Sequence, residues 1–502
     1  MNALRNRPLA RAALMGLAAL LALTLLAMGA FSVAGGDAHR HRMALALLVG
    51  IGMLAALLGG IGWLYRRNSP IERYFLLLFV PLSLGMMIAM PVLRVPDETA
   101  HIQRTYQIAT GQFVPQDGRF DQPGNLFETD AEDQATLRHV AEMFGRALDK
   151  APVSVGSNES TGIYPITAYA PQALFMAAAN LVSDNQGVLL YAARVGSWLI
   201  TLLMFYAAIR LTPCGKSVML VVSLLPMTLQ EAASASADGM AIACVMLALA
   251  VVLRIREDRR VFRGALPLMC LSAVGLISFK VMYAPFLLLL LLLPAEAFSS
   301  AGKRRFFRLC ALLCALLTLG LWAWSSLAPG AVSGSHAGQV WPQIQAALRA
   351  PHRFLALLGR TCLRYAFTWG WQMIGGTLSW FNIYLPHAVV VLWAVILLWT
   401  ALLDRPVTRP GPVRAMAWGI SLALFLMILC ALYAWWTPAD SPLITGVQGR
   451  YFLPCAAPVL ISLSGVIRPR RATAGQVSPI LYGAAACLGV CTILTVLSHT
   501  LS

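Results

Sequence analysis

The chain has 502 residues, of which 59% are hydrophobic and only 12% charged, with a formal net charge of +17. A soluble protein of this size needs a charged surface all round, so a single water-soluble core is excluded. The positive balance belongs to short loops between apolar runs and does not describe a nucleic-acid surface.

A spanning helix takes roughly 20 mostly apolar residues to cross a hydrocarbon core of about 30 Å. In chain order such runs fall near 12–34, 43–65, 73–93, 187–209, 217–231 and 237–254. Others follow near 262–278, 281–298, 306–328, 386–403, 415–436, 451–467 and 479–498. The fold class they predict is an all-α integral membrane protein with about 13 transmembrane helices, all backbone hydrogen bonds closing inside the spans. The first run, Ala12 to Val33, follows Arg5, Arg7 and Arg11 as a signal peptide would. It is longer than a signal-peptide core and a second span follows at once, so it reads as an uncleaved first helix. The ten cysteines show no paired spacing, and most sit in apolar runs as small hydrophobes, so no zinc or disulfide framework is implied.

Orientation follows from Lys and Arg near span ends. The basic connections are Arg66-Arg67 with Arg73, Arg210 with Lys216, Arg254 to Arg263, Lys303 to Arg305, Arg405 to Arg414, and Arg468 to Arg471. With a cytoplasmic N-terminus, alternation puts all of them inside; Arg40 and Arg42 are the exception. Tyr164 to Leu181, with Pro165, Pro171 and Gln172, then has to lie on the outer surface or re-enter it rather than cross.

Two hydrophilic stretches face outward. Val95 to about Ile163 holds 11 of the 21 acidic residues against five basic ones. Pro329 to Pro386 is rich in Trp and Arg. Loops this long in a compact protein are usually functional or disordered, and these carry aromatics and helical periodicity.

The sharpest motif is Pro96-Asp97-Glu98-Thr99-Ala100-His101, directly after the third span. Proline suits the first position of a helix and acids suit its first turn, so Asp97 and Glu98 could simply cap a helix. Against that, Asp97, His101 and Arg104 at i, i+4 and i+7 bring an acid, an imidazole and a cation to one face. Asp238 in Ser234-Ala235-Ser236-Ala237-Asp238-Gly239, Lys280 between two apolar runs, and Gln448-Gly449-Arg450-Tyr451 all fall on the same outer side. Ionisable residues at membrane depth are expensive and tend to pair and to mark sites, although each alone could be a structural ion pair. Their convergence predicts a shared water-filled cavity. Around it the second loop offers Trp341, Trp369, Trp371, Trp380, Arg360, Arg364 and Asn382. Aromatic faces pack on sugar rings and Arg forks bind phosphate, so the mixture fits a substrate carrying sugar, phosphate and lipid. No phosphate loop, metal-ligand spacing or nucleophile elbow is present, although Asp97, Glu98 and Asp238 could share a divalent ion, the one cofactor left open.

Pro96 to His101, Ser234 to Asp238, Lys280 to Pro285 and Gln448 to Pro454, with Tyr164-Pro165 and Tyr169-Ala170-Pro171, resemble a bacterial membrane family. It is the one catalogued as domain of unknown function 2142, grouped with the GT-C glycosyltransferases. The resemblance runs from about Arg73 to Ile467. It implies a GT-C-like domain over 73–467, with outer loops 95–163 and 329–386 and helices of the first lying on the membrane. Residues 1–72 become an N-terminal transmembrane extension, and 468–502 a basic loop with the last span. It further implies an inverting glycosyltransferase in the bacterial cytoplasmic membrane, its active site on the outer face. The donor would be a polyprenyl-phosphate sugar and the acceptor an envelope glycan or glycolipid, with a donor synthase or flippase as a further partner. On this resemblance Asp97 is the general base, and Glu98 shares that role or binds a metal. Lys280 and Arg450 hold the donor phosphate, and Asp238 and His101 orient acceptor or water. Arg104, Arg360, Arg364, Gln448, Tyr451, Trp371 and Trp380 complete the candidate substrate-binding set. A transporter or flippase of lipid-linked saccharides would put coupled charges at the midplane and show internal repeats, neither of which is found here. A non-catalytic scaffold of polysaccharide assembly would tolerate loss of Asp97.

Overall fold

The computed structural model describes residues 37–114, 119–127, 134–149, 151–156, 161–162, 164–327, 337–465 and 474–501. The expected first span near 12–34 and the basic connection Arg468 to Arg471 lie outside the described residues. Among the described residues the chain opens with α1 (Asp37–Arg66) and α2 (Ile71–Ala89). A buried turn leads to α3 (Glu98–Ala109). Beyond it, β1 (Arg119–Pro123) and β2 (Pro152–Gly156) pair antiparallel, Arg119 opposite Gly156, with α4 (Leu137–Phe144) between them in sequence. Next come α5 (Ile166–Asn180), α6 (Gln186–Leu211), α7 (Lys216–Ser223), α8 (Pro226–Ala232), α9 (Asp238–Asp258) and α10 (Ala265–Phe279). A 3-10 helix (Val281–Leu292) and α11 (Ala301–Leu327) lead to the second hydrophilic stretch. That stretch folds as α12 (Ala337–Arg349), α13 (Pro351–Ile374) and a small hairpin of β3 (Thr377–Leu378) and β4 (Ile383–Tyr384). The chain continues through α14 (His387–Leu403), α15 (Pro410–Trp435), a 3-10 turn (Gly449–Phe452), α16 (Leu453–Ser462) and α17 (Ala474–Thr500).

The class is that of an all-α membrane protein. Stretches within α1, α2, α6, α9, α11, α15 and α17 are long and apolar enough to cross a bilayer. The helices α10, α14 and the 3-10 helix are shorter and apolar. The expected run 217–231 is not one helix. Pro226 lacks an N–H and its ring blocks the preceding turn, so Leu225 goes extended (ψ 141°) and α7 gives way to α8. The run 451–467 is likewise shortened, to the ten residues of α16 behind a 3-10 turn. The 3-10 helix compensates for its brevity, because at about 2.0 Å per residue its 12 residues reach about 24 Å. With 15 residues, α5 is about 22 Å long, shorter than a hydrocarbon core.

At the centre stands α9, buried from Asp238 through Leu253 and packed by α6, α8, α10, α16 and the 3-10 helix. Its first turn meets α8 so closely that a Cβ on Gly239 would lie 2.9 Å from both Ala232 Cα and Glu231 O. By contrast α11 presents Leu309, Leu312, Leu313, Leu316 and Leu317 outward, a face suited only to lipid.

The spans alternate so that the bundle has two unlike ends. At one, Arg256 donates to Arg409 O (3.2 Å), Glu257 accepts from Thr408, and Lys216 lies 3.7 Å from Glu72. At the other stand the end of α2, the starts of α6, α9 and α14, Lys280 after α10, and Arg450 before α16. Asp97, Asp238, Lys280 and Arg450 meet there.

Candidate functional site

Asp97 is the N-cap residue of α3, yet its carboxylate makes no capping bond. Its backbone is left-handed (φ 65°), and its side chain, 43% exposed, accepts from Arg450 Nη2 instead. Leu93, Ser379 and Phe381, close by, are also left-handed at φ 60–73°. Non-glycine residues there cost on the order of 1–3 kcal/mol each and persist only where their surroundings fix them.

What fixes the turn is Glu98. Neighbouring Asp97 in sequence, it is fully buried and forms a two-pronged ion pair with Arg194 of α6 (2.8 and 2.7 Å). It also accepts backbone N–H bonds from Leu93 and Ala235, both 2.9 Å. Arg194 in turn donates to the carbonyls of Met87, Met90 and Pro91, closing the C-terminus of α2. The carboxylate considered for catalysis or metal binding is thus turned away from Asp97 and saturated with donors.

Arg450 is the hub. The 3-10 turn carrying it is pinned to α13, where Gly449 N–H donates to Gln372 Oε1 (2.9 Å). Its guanidinium, 1% exposed, donates to Pro96 O (3.0 Å), Gln448 Oε1 (2.7 Å) and Asp97. It also lies 3.5 Å from Glu231 and 3.8 Å from Asp238. Lys280 Nζ contacts Asp238 at 2.5 Å and sits 4.5 Å over the Tyr451 ring, which also faces Arg450. Burial works against the charge of Arg450, but Glu231 and Asp97 outweigh it, so its pKa stands well above the ordinary value.

His101 lies beside this cluster, bonded through Nδ1 to Tyr169 Oη (2.7 Å) and 3.5 Å from Ser236 Oγ through Nε2. Ser236 Oγ also accepts from Asp238 N–H (3.1 Å). Burial pushes the imidazole pKa down to about 4, against the pull of the Asp238 and Asp97 carboxylates, so the ring is neutral near pH 7.

The structure therefore brings Asp97, His101, Asp238, Lys280, Gln448, Arg450 and Tyr451 together. Of the expected single face of Asp97, His101 and Arg104, the first two meet in the cluster and Arg104 does not, because its guanidinium is taken up elsewhere. Arg104 is buried against Gln107 and the Tyr164 carbonyl. Arg360 and Arg364 are exposed on α13, outside the cluster. Trp371 stacks on Phe367 and packs at a tilt against His387, Trp369 is buried against Phe425 and Phe452, and Trp341 is exposed. Trp380 sits in the β3–β4 hairpin, its Nε1 buried without a hydrogen-bond partner. That hairpin is tied to the site, since Ser379 N–H donates to Gln230 Oε1 (2.7 Å), and Gln230 neighbours Glu231. Among the described residues no three His, Cys, Asp or Glu side chains gather as a metal site, and the trio Asp97, Glu98 and Asp238 is divided between separate ion pairs.

Two charged residues central to this arrangement, Glu231 and Arg194, lie inside stretches read from sequence as plain spans. The signal was there: an ionisable side chain within an apolar run is a site candidate by itself.

Fold and site together define a multi-pass membrane protein with a buried ionic cluster at one end of its bundle. The chain belongs to the family described as predicted membrane protein, DUF2142, whose model matches residues 82–459. That match takes in every residue of the cluster. No curated protein and no solved structure matches the chain.

Proposed function

We propose that the cluster is the active site of an inverting glycosyltransferase. It would take a sugar from a polyprenyl-phosphate donor to an envelope glycan or glycolipid, on the outer face of the bacterial cytoplasmic membrane. The observation that carries this reading is the pairing of Asp97, the most exposed acid of the cluster, with the buried Arg450, while a second cation, Lys280, is held beside it by Asp238. A cationic floor with one accessible carboxylate suits a phosphate leaving group and a hydroxyl nucleophile.

In the reaction so read, donor phosphate oxygens take the place of Asp97 on the Arg450 fork. Asp97 is freed to accept the proton of the acceptor hydroxyl as that oxygen bonds to the anomeric carbon. The bond from that carbon to the phosphate oxygen breaks, and the electron pair leaves with the polyprenyl phosphate, whose charge Arg450 and Lys280 take up. Tyr451, Gln448 and neutral His101 shape the site. Glu98 acts only by holding the turn. A divalent ion would have to enter with the substrate phosphate, because the cluster's own acids are paired.

The test is transfer of labelled sugar from polyprenyl phosphate by the purified chain, wild type beside Asp97→Asn. Equal transfer by both would remove Asp97 as base. No transfer by wild type, with labelled lipid instead changing leaflet in vesicles, would favour a flippase.

A further inference from the structure

The helix α13 is fastened on one face and bare on the other. Thr361 Oγ1 accepts from Ile444 N–H (3.0 Å) and Gln372 holds Gly449, which fixes the helix to the strand of chain that carries Arg450. On its outer side Leu355, Leu363 and Phe367 are 64%, 90% and 80% exposed. At 3.6 residues per turn these three fall within about 120° of arc. Arg353, Arg360 and Arg364, all exposed, stack within about 40° beside them and extend along about 16 Å of helix. Residues 337–374 contain no acidic side chain, and among the described residues none of the three arginines has an ion-pair partner.

We infer that this ridge binds phosphate-bearing anionic lipid. An apolar stripe flanked by a line of guanidinium groups is the pattern of a helix lying in the membrane interface. Leu355, Leu363 and Phe367 enter the acyl region, and the arginines meet head-group phosphates, whose oxygens match the guanidinium fork. A second copy of the chain is disfavoured as occupant, since a two-fold contact through this face would set arginine against arginine. Free phosphate would leave the apolar stripe in water. The inference concerns lipid held against the outer face of α13 and stands whether or not the cluster transfers sugar.

Full-length protein reconstituted in phosphatidylcholine bilayers with a minor share of photoactivatable phosphatidylglycerol gives a direct reading, by mapping labelled peptides. Phosphatidylglycerol is expected to label residues 351–368, and phosphatidylcholine bearing the same photoactivatable group to label them far less. In the R353Q/R360Q/R364Q chain that preference falls at least about tenfold, because each basic side chain near an anionic surface is worth a factor of about five. A second chain, R256Q/R259Q, altered at the opposite end of the bundle, keeps it. A melting curve of the triple variant establishes that it is folded. Equal labelling by the two lipids, an unchanged preference in the triple variant, its abolition by inorganic phosphate, or cross-links between two copies at this helix would each overturn the proposal.

Discussion

Arg450 and Asp97 lie 353 residues apart in sequence and meet in an ion pair whose two members differ sharply in exposure, the arginine at 1% and the aspartate at 43%. Of the other acceptors around the guanidinium, Pro96 O is backbone, Gln448 is uncharged, and the carboxylates lie deeper, Glu231 at 0% and Asp238 at 5%. Asp97 is therefore the partner that an incoming anion can replace without stranding a buried charge. Asp97→Asn is expected to lower sugar transfer by about 10²–10⁴-fold, the usual worth of a general base, with little change in thermal stability. Arg450→Gln should do the reverse in part, destabilising by about 3–5 kcal/mol because Glu231 and Asp238 lose their cation. Melting curves beside transfer rates separate the two effects. A strongly destabilised Asp97→Asn would make that residue structural.

The Glu98–Arg194 pair makes the opposite prediction for the neighbouring acid. Both side chains are fully buried and the pair joins α2, α3, α6 and the turn before α9. Removing one partner alone, in Glu98→Gln or Arg194→Gln, should cost about 3–5 kcal/mol. The double variant should recover part of that, as coupled neighbours do. Thermal midpoints in detergent for the cycle of four chains decide it, and additive losses would refute the coupling.

Gly449 controls where Arg450 points. A Cβ there would fall 2.7 Å from Met373 N and 2.6 Å from Gln372 Cβ, and closer still to the Trp369 carbonyl. Backbone atoms cannot step aside as a side-chain tip can, so Gly449→Ala must push the 3-10 turn off α13. The expected result is loss of most donor affinity, seen as a raised KM, together with a lower melting temperature. An alanine chain with wild-type kinetics would mean that the turn is not fixed by this contact.

The membrane class and most of the cluster could be read along the chain because each rests on local pattern. Apolar run length gives a span, and an acid after proline gives a helix start. What could not be read depends on contacts across the fold. Glu231 ends an apolar run and belongs to the site only because Pro226 breaks that run, and Gly239 then lets α9 return against α8. Asp97 and Glu98 are adjacent and chemically alike, and the left-handed backbone at Asp97 sends one to Arg450 and the other to Arg194. Arg360 and Arg364 look from composition like phosphate ligands of the site; the helical phase of α13 puts them outside the cluster.

The neutral, buried His101 makes stability depend on pH in a defined window. Its pKa is lowered from the ordinary 6.5 to about 4, so between those values the unfolded chain binds a proton that the folded chain refuses. Stability contributed in this way is fully present above pH 6.5 and is lost as pH falls toward 4, by on the order of 3 kcal/mol in total. Below pH 4 both states carry the proton and the loss stops growing. Asp97, Asp238, Lys280 and Arg450 also act on the ring, and the wild-type curve includes their titration. Subtracting the curve of His101→Gln removes what those groups add in common, since glutamine has no proton to take up in this range. Thermal midpoints measured in detergent from pH 7.5 to 4 should fall more steeply for wild type than for His101→Gln. Parallel curves for the two chains would show that the imidazole is not held neutral by its burial against Tyr169 and Ser236.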